Sequence, residues 1–171
     1  MKSTVLTMFT FALIGLPGWA QNAGGSATGG DQAFIDLAAQ TDMTEAHLGQ
    51  VAAEQASSQA VKDFAQMMVT DHTADYNQIT ALASKAGLNV PKGLDAKHQK
   101  MIAPFEKLKG KMFDARYSRE MVSGHETAIA AYDKESRDGQ NADVKAYAKQ
   151  TLPTLEKHKS AAQGLMKGKA K

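Results

Sequence analysis

The 171-residue chain carries 20 lysines and arginines against 18 aspartates and glutamates, a net charge of +2. That balance is too small and too mixed to point to nucleic acid or a strongly acidic partner. It has no cysteine, which excludes disulfides, thiolate ligands, thiol catalysis and a lipid-modified cysteine at an export cleavage site. A chain of this length holds one domain with a proper core.

Met1 to Ala20 starts positively at Lys2, continues in an apolar run from Val5 to Leu16, breaks at Pro17-Gly18 and offers small residues at Gly18 and Ala20. This pattern predicts a signal peptide cut after Ala20, and hence export to the periplasm. The apolar run is shorter than the roughly 20 residues needed to cross a bilayer, so no transmembrane segment is expected in the mature protein. Gln21 to Gly30, rich in Gly, Ala and Ser, reads as a flexible linker.

From Asp31 onward apolar residues recur at helical spacing, divided by turn signals into four long segments. The first helix is predicted from an Asp31 cap to about Ala56. The second starts at Ser57 or Ser58 and ends near Gly87, with Pro91 preventing continuation. Leu94 to Phe105 suits a short amphipathic helix, interrupted by Pro104 and closed by Gly110. A third long helix covers about Lys111 to Arg137, Asp138-Gly139 turns the chain, and a fourth runs from an Asn141 cap towards Gly164, bent at Pro153. Lys167 to Lys171 forms a basic tail. The expected fold is all-α: residues 31–166 as a four-helix bundle of two antiparallel hairpins, joined by a longer crossover containing a short helix. A shared register supports a duplicated hairpin, since Ser58-Gln-Ala-Val-Lys-Asp-Phe-Ala matches Asn141-Ala-Asp-Val-Lys-Ala-Tyr-Ala at the cap, Val-Lys, the aromatic and the final Ala.

Advancing 100° per residue, the first helix places Glu45 in line with Phe34, Ala38, Leu48 and Ala52. By the same rule His72 joins Val61, Ala65 and Met68, His125 joins Tyr117, Met121 and Ala128, and His158 joins Val144, Leu155 and Ala162. Each long helix thus presents one metal-competent side chain to the interior. At roughly 1.5 Å rise per residue, Glu45 and His72 lie roughly 20 Å from their shared turn, and His125 and His158 roughly 21 and 28 Å from theirs, so the four can meet near mid-bundle. Three imidazoles and a carboxylate suit Cu, Zn, Fe or Mn. Met68 and Met121, one turn from His72 and His125, are possible additional thioether ligands, although methionine is ordinary core filler. The competing reading is a non-catalytic structural or stress-related envelope protein, in which the same four residues form a hydrogen-bonded polar network that serves packing alone. His47 falls on the opposite side of its helix, and His98 belongs to the connecting segment. No nucleophile elbow or phosphate-cradling glycine loop occurs.

The segments Phe64-Ala-Gln-Met-Met-Val-Thr-Asp-His72, Phe113-Asp-Ala-Arg-Tyr-Ser-Arg-Glu-Met-Val-Ser-Gly-His125 and Thr151-Leu-Pro-Thr-Leu-Glu-Lys-His158 resemble a bacterial family. It is an exported ferritin-like domain of unknown function, family forty-one forty-two of the domains of unknown function. The resemblance spans about Gln32 to Leu165. It implies a ferritin-like fold, export, and Glu45, His72, His125 and His158 as the positions of interest, with no established activity. It also implies Asp-His in both halves. Asp71-His72 conforms and Gly124-His125 does not, which predicts a missing carboxylate behind His125. Di-iron enzymes of ferritin type require glutamates from all four helices, whereas only Glu45 is in phase here.

Overall fold

The computed structural model describes residues 29–168. The leader, most of the linker and the end of the basic tail lie outside the described residues. All regular structure among the described residues is helical: α1 Gly29–Gln55, α2 Gln59–Ala86, α3 Ala96–Ile102, a 3-10 turn Phe105–Lys107, α4 Gly110–Asp138 and α5 Ala142–Met166. The short links after Gln55 and Asp138 force α1 with α2, and α4 with α5, into antiparallel hairpins. The hairpins then pack α1 on α4 and α2 on α5. No described helix is long and apolar enough to cross a membrane.

Helix ends follow local chemistry in some places and tertiary chemistry in others. At the C-terminus of α2, Gly87 is left-handed at φ 70°, and Leu88 N–H donates to Ala83 O at 2.9 Å, closing the helix as glycine permits. Asn141 caps α5 by accepting from Asp143 N and Val144 N at 3.0 and 3.1 Å. Ser58, its counterpart in the duplicated register, makes no such side-chain bond. Instead Asp114 of α4 accepts from Ser57 N, Ser57 Oγ and Ser58 N at 3.0, 2.6 and 3.0 Å, placing a carboxylate at the positive end of α2. Asp31 corrects the sequence reading. It lies inside α1, which begins at Gly29, and its Oδ1 accepts from Gln140 N and Asn141 N at 2.9 and 3.2 Å. The expected cap of α1 therefore tethers the other hairpin's turn. Pro153 does not end α5, though it cannot donate to the carbonyl of Lys149.

The crossover is held along α1 by two glutamines, two turns apart. Gln32 exchanges bonds with both backbone groups of Asn89 at 2.9 Å. Gln40 donates to Gly93 O at 2.9 Å and accepts from Asp95 N at 3.0 Å. Asp95 then caps α3 through His98 N at 2.8 Å. The apolar interior forms two clusters. One, at the α1–α2 turn, includes Leu48, Phe64, Met68, Phe105, Phe113, Tyr117 and Met121. The other includes Phe34, Ile35, Ile79, Tyr132, Val144, Tyr147 and Leu155. Between them on every long helix lies the polar residue that helical phase selected.

Candidate metal centre

Glu45, His72, His125 and His158 are all buried, 0–3 % exposed. One ring nitrogen from each histidine lies within 4.8 Å of the others. Glu45 Oε2 sits 2.9 Å from His72 Nε2 and 3.3 Å from His125 Nε2. These approaches are close but not aligned as hydrogen bonds: Glu45 Oε2, His72 Nε2, His125 Nε2 and His158 Nδ1 are buried with no hydrogen-bond partner. Four heteroatoms, one from each long helix, thus converge without satisfying one another.

The opposite nitrogen of each imidazole is held. His72 Nδ1 donates to Asp42 Oδ1 at 2.8 Å, His125 Nδ1 donates to Met121 O at 2.8 Å, and His158 Nε2 donates to Asp71 Oδ2 at 3.0 Å. A carboxylate or carbonyl oxygen only accepts, so each of these nitrogens carries the proton. The inward nitrogen of a neutral ring then presents its lone pair. In metal sites such an arrangement orients the ligating histidines, fixing the tautomer and raising the basicity of the free nitrogen.

No carboxylate stands behind His125, as Gly124 in place of Asp predicts, while the partners of His72 and His158 are not the ones that chain neighbourhood suggests. The missing carboxylate at position 124 leaves no gap behind His125, because the carbonyl one helical turn earlier does the work. Asp71 does not serve its neighbour His72 but reaches across to His158, and His72 is served by Asp42. Sequence reasoning missed Asp42, 1 % exposed; its signal was a spacing of three residues before Glu45, which puts both carboxylates on one face of α1. Gly124 has its own role: a Cβ there would stand 2.9 Å from Glu45 Oε1, so the glycine gives the carboxylate its space.

The electrostatics follow from burial and proximity. Burial works against a charge on His72, but the nearby Glu45 carboxylate and the hydrogen bond to Asp42 outweigh it and push the imidazole up to about 10. Burial would raise Glu45, yet His72 and His125 hold it below its ordinary value. Burial pushes Asp42 up to about 7 and lowers both His125 and His158. Without an ion, a proton on His72 and the charge on Glu45 therefore face each other beside two neutral imidazoles.

Met68 and Met121 are buried one turn away, within the apolar cluster. His47 is half-buried rather than fully outward and His98 bonds its ring to Asp95 at 2.7 Å; neither joins the cluster.

No curated protein matches the chain. Among solved structures it is similar to the crystal structure of a DUF305 fragment from Deinococcus radiodurans. The TM-score is 0.71 at 16 % identity, covering 83 % of this chain and 98 % of that one, a likeness that shows a shared helical fold. The family model described as Domain of unknown function (DUF4142) matches residues 17–165, and the chain belongs to that family.

Proposed function

We propose that the protein is an exported, periplasmic bundle of ferritin-like type that holds one first-row transition-metal ion in its core through Glu45, His72, His125 and His158. One observation carries this reading. Four buried donor atoms from four helices lack hydrogen-bond partners, while the far nitrogen of every histidine is tied to an acceptor. A buried polar atom without a partner is costly, so a cluster of four is explained by a cation that all of them face. The leader-like Met1 to Ala20 supports export.

The donor set is three imidazole nitrogens and one carboxylate oxygen, suited to Cu, Zn, Fe or Mn, with Cu(II) favoured over Zn(II), Fe(II) and Mn(II) by the general affinity order. A metal ion and a proton compete for His72 Nε2, so uptake releases protons. The role is storage, buffering or sensing of the ion. The second reading, a packing network, draws on the 2.9 Å approach of His72 to Glu45, in which the proton alone balances the carboxylate.

Thermal melts with and without Cu, Zn, Mn or Fe separate the two. An ion at a hundred times its Kd adds about 2.7 kcal/mol to stability, worth roughly 5 to 10 °C in Tm for a domain of this size. His72→Ala is expected to abolish the shift and His47→Ala to preserve it. If no metal moves the wild-type Tm, or if both variants lose the shift equally, the packing network stands.

A further inference from the structure

The buried cluster is approached by two cavities on different sides of the molecule. One, of about 390 Å³, lies in the seam between α2 and α5 and is lined by His72 and His158 together with Asp71, Asp75, Gln78 and Thr154. The other, of about 220 Å³, lies between α1, α3 and α4. It reaches Glu45 past Lys97, His98 and Thr127.

We propose that the metal ion passes between solvent and the core site through the α2–α5 seam, with the Asp71 carboxylate as its first contact. This rests on the metal reading of the site. Two of the three histidines form the inner wall of that cleft, so an ion in it is already against its ligands. No lysine or arginine lines it, and Asp71 and Asp75 both carry carboxylates. Asp71 bridges the two environments: its side chain is 42 % exposed, while the His158 ring to which it bonds at 3.0 Å is 3 % exposed. A carboxylate so placed attracts a cation from water into the cleft whose inner wall His72 and His158 form. The second cavity reaches one member of the cluster, Glu45, against two histidines in the seam, and although Glu120 and His98 also line it, the Lys97 ammonium stands in its wall and opposes a cation. The seam also joins two helices from different hairpins, with no loop connecting them, so it can widen without unfolding either hairpin.

The test uses Co(II) alone as the probe, followed by stopped-flow absorption as it enters the site. Thr154 and Thr127 are both exposed helix residues, one at the edge of each cavity, so a bulky side chain at either fits at the surface. Thr154→Trp is expected to slow association and dissociation together by about tenfold or more, leaving Kd within about threefold, since a barrier changes rates and not the end states. Thr127→Trp is expected to leave both rates unchanged. Gln78→Trp plugs the seam from the opposite wall and must slow uptake as well, which keeps the test valid if Thr154→Trp misfolds. Asp71→Asn is expected to lower the association rate and flatten its dependence on ionic strength, because steering by a carboxylate is screened by salt. Unchanged rates in both seam variants, or equal slowing in Thr127→Trp, overturn the route while leaving the site intact. A wild-type protein that takes up none of Co, Cu, Zn, Mn or Fe removes the site and the route together.

Discussion

Gly124→Ala separates the fold from the site, because it moves the two in opposite directions. The glycine lies inside α4, where alanine is favoured by about 0.5 to 1 kcal/mol on conformational entropy. Its new Cβ, however, would stand 2.9 Å from Glu45 Oε1, where ordinary contact begins at 3.4 Å, so the carboxylate must retreat by about 0.5 Å. The far end of a glutamate can yield that distance without disturbing the helices. A metal ligand cannot, since donor distances are held within about 0.2 Å. Displacement of a supporting or ligating carboxylate lowers metal affinity by about 10- to 100-fold. The expected result is a metal-free Tm that is equal to or above that of the parent, with metal binding weakened by one to two orders of magnitude. Metal-free melts and competition titrations against a chelator of known affinity measure the two quantities separately. A variant that binds metal as tightly as the parent, or that loses more than about 1 kcal/mol of metal-free stability, refutes the placement of Glu45 against Gly124.

Two further outcomes concern the fold. Gly49→Ala is expected to destabilise by about 1 to 3 kcal/mol, because its Cβ would stand 2.7 Å from Val69 Cγ2 and 2.8 Å from the Ala65 carbonyl of α2; Gly164→Ala, with nothing within 4 Å, is expected to stabilise, and chemical denaturation of both checks the contrast. Burial, with the Asp31 carboxyl beside it, pushes Glu135 from 4.5 up to about 7. The folded state therefore binds more protons than the unfolded one, and this contribution to stability is present below the unfolded value and lost as pH rises through the folded one. Glu135→Gln is expected to raise Tm at about pH 8 and to change it little at about pH 5; an equal gain at both pH values would contradict the shift.

The four core residues were legible in the sequence because helical phase is a local property. Once the apolar stripes of four helices are drawn, Glu45, His72, His125 and His158 fall on them, and counting from the turns puts them near one level. The helix ends closed by Gly87 and Asn141 were legible for the same reason, since their chemistry stays within a few residues. What the sequence could not assign was which acceptor stands behind each donor. Asp71 adjoins His72 in the chain, but one residue is a 100° rotation, so its carboxylate faces α5 and His158 instead. Asp42 reaches His72 only because α1 and α2 pack with those levels aligned. Asp31 looked like the cap of its own helix and holds the far hairpin's turn, while Asp114 takes over the capping that Ser58 leaves undone. The empty space at Gly124 likewise acquires its meaning from Glu45, seventy-nine positions away in the chain. Periodicity along a helix sets which residues turn inward; the relative rotation and depth of the packed helices, set by the two apolar clusters on either side of the polar level, decided what each of them meets there.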